Sequence, residues 1–530
     1  MAGLASVTGL VGLTQAVVPA GAAPQSRIAL EPIGTYATGQ FDESAAEIVA
    51  HDPLTQRLFV VNAQAGAIDV LDITDPSEPE REQTLSAQGG TVNSIAISDG
   101  VLAVAVAADL KQEPGSVELY DTEELNRLST VEVGALPDML TFTPDGTKVV
   151  VANEGEPDEY CIDGAGDPEG SVSIIDLADG TEEPVVRTAG FEAFNDDIEA
   201  LQEAGVRIFG PGATVAEDLE PEYVAVDADS TTAWVSLQEN NAFAIVDLES
   251  AEVTDLLPLG FKDHSIEGNG LDASNKDDEI NIRTWPVRGM YQPDAIAAYE
   301  HGNNTDLVSA NEGDARDYDC YSEETRIKDL ELDADAFPNA DQLQQNGQLG
   351  RLNTTETFGT EGVSELYSYG ARSFSIWDEA GRLVFDSGDD FEQITAEALS
   401  EDFNSNNDEN GSFDARSDDK GPEPEGVEIG QVYSKTYAFI GLERVGGVMV
   451  YDITTPHNPK FVQYLNNRDF DVDAETDDGG ANPEAGDLGP EGLTLIAAED
   501  SPTGEPLLAV GNEVSGSTTL YRIDGPGKKR

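Results

Sequence analysis

Short apolar runs recur along the chain, separated by polar turns rich in Asp, Gly and Pro. Read in order, they form a repeating unit. Each unit opens with a short strand, often just after Pro-Asp or Pro-Glu; a turn, a second strand, a loop and a third strand ending in Asp follow. The units span 47–72, 92–121, 137–176, 221–247, 293–378, 424–452 and 490–523, and a long insertion interrupts the fifth. A fourth strand fits the linkers, for example at 132–133 and 461–463. Short strands joined by turns, with no comparable helical rhythm, predict an all-β array. Four-stranded units repeated seven times around an axis make a seven-bladed β-propeller; two separate β-sandwiches are the alternative. The expected division is an N-terminal arm or leader remnant over 1–27, one propeller domain over 28–524 and a tail over 525–530. Short helices are expected at 192–205 and 393–403, and residues 313–371 and 386–423 are long polar insertions. Long loops in a compact fold are functional or disordered.

The repeat places particular side chains together. In a propeller the first strand of each blade lines the channel and the second runs antiparallel to it, so the start of one and the end of the other share a face. The strand-start acids are Glu47, Asp138, Glu222, Asp294, Glu425 and Glu491. The second-strand ends carry Asn153-Glu154, Gln238-Glu239-Asn240, Asn311-Glu312 (with Asp314 beyond), Glu443 and Asn512-Glu513. Both sets converge on one mouth of the channel. So many carboxylates on one axis repel one another unless cations bind there. Carboxylate and amide oxygens are hard ligands, which points to a divalent metal, calcium above all, with room for a second, transition metal. The alternative is that Pro-Asp and Pro-Glu are turn chemistry and the acids face solvent. His264, one of four histidines, is the candidate for acid–base work, with a plain surface histidine as its alternative. Arg316, Arg372 and Arg444 are placed to clamp an anion, or simply to pair with local acids. The segment 404–411 resembles a calcium loop in oxygen spacing, without the terminal Glu of an EF-hand, and the acid runs 272–279 and 471–478 are further candidates for Ca²⁺, though such runs are usually solvated faces. Neither a nucleophile elbow, a zincin motif, a P-loop nor a dinucleotide fingerprint is present in the sequence.

Charge changes the picture. The 530 residues include 104 Asp and Glu against 28 Lys and Arg, for a net charge of −76. Binding to nucleic acid through phosphates, or to an anionic membrane surface, is excluded by repulsion. The acid is spread through the whole chain, Lys is scarcer than Arg, and 39% of residues are hydrophobic, so a core can form. This pattern resembles proteins adapted to molar salt; an acidic calcium-binding surface protein is the alternative. The apolar stretch 4–18 followed by small residues at 20–24 reads as a secretory leader, and the chain shows no later run long enough for a membrane helix. An exported monomer at the surface or outside the cell is therefore expected. Cys161 and Cys320 follow equivalent motifs in the third and fifth units, which predicts a disulfide between them, with free thiols or a metal thiolate as alternatives. Asn303, Asn353 and Asn410 begin possible glycosylation sequons.

Several strings also add up to a resemblance: Asn153-Glu154-Gly155-Glu156-Pro157, Gly205-Val206-Arg207-Ile208-Phe209-Gly210-Pro211-Gly212, Asn311-Glu312-Gly313-Asp314-Ala315-Arg316-Asp317-Tyr318 and Lys420-Gly421-Pro422-Glu423-Pro424-Glu425-Gly426. Together they resemble the choice-of-anchor I family of exported propeller proteins. Some members of that family are alkaline phosphatase-like and others are surface glycoproteins. The resemblance implies either a metal-dependent phosphoesterase acting on a small phosphoester, with His264, Arg316 and Arg372 assisting, or a non-catalytic, calcium-stabilised propeller that binds a cell-surface ligand. The salt reading has a direct check. Because the Debye length shrinks to about 3 Å at 1 M salt, the melting temperature is expected to rise between low and molar NaCl; an unchanged value refutes salt adaptation.

Overall fold

Runs such as Lys148–Asn153 and Thr232–Leu237 are rich in Val, Ala and aromatic residues, and they form strands buried along almost their whole length. The computed structural model describes residues 27–158, 160, 166–476 and 478–526, with the backbone of 15–17. Strand predominates and helices are few and short. The third repeat unit shows the common plan. Pro137–Phe142, Lys148–Asn153, Ser171–Asp176 and Val185–Gly190 lie side by side in that order, each antiparallel to the next. Six further four-strand arrays follow the same order of pairing. They begin at Val49–Asp52, Gly90–Ser98, Pro221–Val226, Ile296–His301, Pro424–Val432 and Pro490–Ile496. In the seventh array the outer strand comes from the other end of the chain: Ala29–Ala37 pairs with Ser517–Asp524. The strand Gln15–Val17 adds a fifth strand to the sixth array, against Lys460–Asn466.

Burial falls from the inner strands outward. Arg57–Asn62 and Ala67–Asp72 are nearly all buried, whereas the fourth strand of the same array, Glu80–Ser86, buries only Leu85. The hydrophobic core is accordingly divided into clusters, each filling the space between adjacent arrays. The first strands also touch from array to array. Val49–Asp52 meets Gly90–Ser98, contacts continue through each following first strand, and Pro490–Ile496 touches Val49–Asp52 again. The Asp that ends the third strand takes the expected turn role. Asp72, Asp176, Asp247 and Asp452 each accept hydrogen bonds from backbone N–H groups two or three residues on.

The insertions are ordered. Residues from 261–290 and from 313–371 build a satellite with its own core, including Leu271, Trp285, Ile327, Phe337, Leu349 and Leu366. The expected helix at 192–205 is split into Glu192–Phe194 and Ile198–Ala204, and the one expected at 393–403 starts three residues earlier and ends five earlier, over Asp390–Ala398. Cys320 is disulfide-bonded; Cys161 and the leader residues 4–14 lie outside the described residues. Of the sequon asparagines, Asn353 is buried and donates to Glu324 and Asp419, so it is not a glycan acceptor.

Close approach between arrays explains the recurring Pro-Glu-Gly. A Cβ on Gly426 would sit 1.9 Å from the Glu491 carbonyl, and one on Gly492 would sit 2.5 Å from the Glu47 carbonyl. Gly511 is as crowded, at 2.0 Å from the Glu47 oxygen. Gly511→Ala is therefore expected to destabilise the fold by ~1–3 kcal/mol, whereas Gly347→Ala, whose Cβ meets nothing nearer than 3.4 Å, stays near neutral. Denaturant melts of the two variants check this; equal midpoints contradict the packing argument.

Candidate metal centre

Local backbone geometry aims the strand-start acids. In the third, fourth, sixth and seventh arrays the pairing register breaks just after the opening proline: Pro137/Leu140, Pro221/Val224, Pro424/Val427 and Pro490/Leu493. Asp138, Glu222, Glu425 and Glu491 occupy those breaks. A bulge frees its residue from the ladder and redirects the side chain. The chain enters two of these strands under strain, with Leu136 and Glu423 at φ of 48° and 50°, and Gln292, before Pro293 of the fifth unit, has φ of 42°. At the second-strand ends, asparagine is structural. Asn153 bridges to Ser171 and Ser173, and Asn311 donates to Ser373 and Ser375. That stitching leaves the following Glu154 and Glu312 to face the mouth.

The acids from both sets come together. Glu47, Asp138, Asp294 and Glu491 line one cavity of about 300 Å³ with Tyr223 and Met139. In three groups, carboxylate oxygens lie within 4.8 Å of one another: Glu47, Glu491 and Glu513; Asp294, Glu312 and Glu425; Glu312, Glu423 and Glu443. Glu154 and Glu222 join through Asp138, and Glu239 through Asp314. All twelve acids singled out in the sequence thus belong to one electrostatic network. Asp314 is half exposed, whereas the other eleven are buried or partly buried, so the alternative of acids facing open solvent describes Asp314 alone. Burial, reinforced by the neighbouring carboxylates, holds protons on them. Burial, with Glu513 and Asp138 adding to it, pushes Glu47 up to about 8. Asp138 is pushed up to about 6 and Glu239 to about 7, again by burial first and then by Glu156 and Asp314. Glu154, Glu222, Asp294, Glu425, Glu443 and Glu491 are raised well above the usual carboxylate range for the same reasons.

One side of the mouth carries its own cations. Lys420 Nζ lies 2.5 Å from Glu312, 3.2 Å from Glu423 and 3.6 Å from Asp314. Arg416 and Arg444 also pair with Glu423, and Arg444 with Glu443. Burial alone would raise Glu423, yet Lys420, Arg416 and Arg444 hold it down to about 2. Lys420 and Glu423 were not singled out as site residues from the sequence, although both stand in the string 420–426. Asn93 was missed too. It lines the cavity at the register break of the second array, the place that an acid takes elsewhere; without Pro-Asp or Pro-Glu its position shows only in the register.

Of the three residues expected to assist catalysis, Arg316 is within electrostatic reach of Glu239, but neither arginine forms an ion pair with any of the twelve acids. Arg316 is buried between Asp218 and Glu220, with its guanidinium over the Phe209 ring. Arg372 bonds Glu392 and the carbonyls of Asp272, Ser417 and Asp419. Both arginines have the local acid partners that were the alternative to anion clamping. His264 is buried in the satellite, not on the surface, and its Nδ1 lies 2.7 Å from the Asn269 carbonyl. Burial, then Lys262, pushes its pKa down to about 3, so the ring is neutral.

The choice-of-anchor I domain family matches residues 47–456. The chain belongs to this family. Among curated relatives, it is 28% identical over 194 residues to Gigasin-3a of Magallana gigas, covering 34% of this chain and 67% of that protein. It is 25% identical over 391 residues to the mesenchyme-specific cell surface glycoprotein of Strongylocentrotus purpuratus, covering 63% of this chain and about half (49%) of that protein. Among solved structures, Kuenenia stuttgartiensis hydrazine synthase aligns at TM-score 0.46 and 15% identity, over 92% of this chain and 99% of that one. The Cps50 (Swd1) β-propeller domain of Myceliophteria thermophila aligns at 0.43 and 9%, over 93% and 99%. No described helix is long and apolar enough to cross a membrane.

The raised carboxylates predict a pH dependence. Without divalent cations, the folded chain keeps protons on Glu47, Asp138 and Glu239 up to about 8, 6 and 7, while an unfolded carboxylate loses its proton near 4. The folded state binds more protons across this window, so raising the pH favours unfolding. Melting in chelator and constant molar NaCl should therefore fall from pH 5 to pH 8, and calcium should remove the fall. A flat or rising profile in chelator contradicts the placement of these groups.

Proposed function

We propose that this protein is an extracellular or surface-located, seven-bladed β-propeller that binds divalent cations, calcium foremost, in its carboxylate-lined channel. The propeller reading rests on the circuit of contacts among first strands and on the N-terminal strand that completes the last array. The surface reading rests on family membership and on the sea-urchin relative, named a cell surface glycoprotein. The cation reading rests on one observation above the others. Carboxylate oxygens of Glu222, Glu239, Glu425 and Glu491 are buried without a hydrogen-bond partner, and desolvated charge of one sign needs a counter-charge. The donor set fits the ion: these are oxygen ligands, some bracketed by neutral Asn93 and Gln238. Glu47, Glu491 and Glu513, which lack a Lys or Arg salt bridge among the described residues, are the first residues we assign to the ion. Its role is to tie together strands that would otherwise repel. The acidic exterior we read as adaptation to molar salt.

Phosphoester hydrolysis is the second reading. It is favoured by the adjacency of Lys420, Arg416 and Arg444 to the acid network. Cations bound there would neutralise a phosphate and supply activated water, and these basic residues would orient it.

Glu491→Gln separates the readings. It removes a charge and a ligand while conserving shape, and Glu249→Gln at an exposed site is the control. Calcium affinity and calcium-dependent melting should fall for Glu491→Gln alone, because binding to the native state alone stabilises by mass action. Unchanged binding in both variants refutes the metal centre. Chelator-sensitive phosphoester turnover in the wild type, lost in folded Glu491→Gln, would select the hydrolase reading.

A further inference from the structure

A second group of buried oxygens lies away from the channel, where two insertions meet. The loop 404–414 closes at its neck through two backbone bonds: Asp414 N donates to the Phe403 carbonyl (2.8 Å), and Arg416 N to the Asn404 carbonyl (2.9 Å). Asn404 and Asp414 flank that neck, both with left-handed backbone, at φ of 44° and 67°. Asp414 is 2% exposed and Asn404 and Ser405 no more than 1%. Even so, the Asp414 carboxylate makes no well-formed hydrogen bond, with only the Ser417 hydroxyl close to it, and the Oδ1 of Asn404 and the Oγ of Ser405 have no hydrogen-bond partner. The Asn404 amide is oriented by its Nδ2, which donates to Ser417 Oγ at 2.9 Å and so leaves the oxygen over.

The surroundings are acidic. Asp414 lies within electrostatic reach of Asp272, Asp277 and Glu392. Asp272 is buried and its oxygens accept from the backbone N–H groups of Ser274 and Asn281. Glu392 is taken by Arg372 and by the Asp272 N–H. Asp277 keeps one buried oxygen, Oδ1, without a partner. Arg372 therefore compensates Glu392 and fastens 272, 417 and 419 together, while Asp414 has no positive partner among the described residues. A buried carboxylate without a counter-charge is costly, as is each buried oxygen left without a bond.

We propose that the neck of this loop is a second cation site, distinct from the channel, taking a calcium-class ion. Asp414 is its carboxylate anchor, Asn404 and Ser405 supply neutral oxygens, and Asp277 lies nearby to add charge. The ligand chemistry is all-oxygen with one dominant carboxylate, as hard cations prefer. The ion would pin the 404–414 loop to the 272–277 segment, joining two insertions that are distant in sequence.

Equilibrium dialysis of the full chain against radioactive calcium in constant molar NaCl tests this. Asp414→Asn keeps the shape and mimics a protonated acid. It should bind one calcium fewer per chain than the wild type, whereas Glu491→Gln should keep this ion. An Asp414→Asn chain that retains the wild-type number overturns the proposal and identifies Asp414 as a neutral structural acid. Should that variant not fold, Ser405→Ala decides instead: a tenfold or greater loss of affinity for one ion supports the site, and unchanged binding of every ion overturns it. The channel is scored separately, because its failure would show in Glu491→Gln and leave the Asp414 arm readable.

Discussion

Like charge crowded onto one axis is the constraint on which the rest of this structure depends. Strand openings from successive arrays bring Glu47, Asp138, Glu222, Asp294, Glu425 and Glu491 inward, and second-strand ends add Glu154, Glu239, Glu312, Glu443 and Glu513. The bulges that free these side chains, the glycines that let neighbouring backbones approach and the left-handed residues before the prolines all serve this convergence. Two remedies for the repulsion are visible. On one side Lys420, Arg416 and Arg444 provide tethered cations. On the other, around Glu47, Asp138 and Glu491, the described residues form no salt bridge, and protons or metal ions must do that work.

Much of the architecture was legible in the sequence because short apolar runs and turn chemistry are local. The strands Pro137–Phe142 and Thr232–Leu237 fall where the apolar runs place them, and the Asp turns behave as expected. The convergence of acids was legible for a different reason: antiparallel pairing alone puts a first-strand start beside a second-strand end. What stayed hidden depends on contacts between residues far apart in the chain. Ala29–Ala37 closes the last array from the opposite terminus, and nothing local marks it as that partner. Lys420 reaches Glu312 across more than a hundred residues. Arg316 and Arg372 look available in sequence, and only the fold shows Asp218, Glu220 and Glu392 against them.

The insertions show how polar sequence can still be ordered. Their apolar residues are sparse, yet Trp285, Ile327, Phe337 and Leu349 gather into one satellite core. Buried ion pairs then fasten it to the main body, Arg207 to Glu323 and Lys262 to Asp386, and Arg372 adds a hydrogen bond to the Asp272 carbonyl. Breaking one partner of such a pair strands a buried charge, so these links restrict the satellite to one position more than they add stability. Their cost is moderated in a chain whose excess acid already demands cations at every depth.

Screening and coordination make different demands on salt, and that difference tests the central claim most directly. The melting temperature should be measured at one fixed, high ionic strength while sodium chloride is exchanged for millimolar calcium chloride. Screening is then constant, so any change reports bound ions. If the channel acids hold calcium, the melting temperature rises by roughly a few degrees and saturates with calcium concentration, as mass action requires. An unchanged melting temperature across the exchange would mean that the converging carboxylates are balanced by protons and diffuse salt, and that the channel is no metal centre.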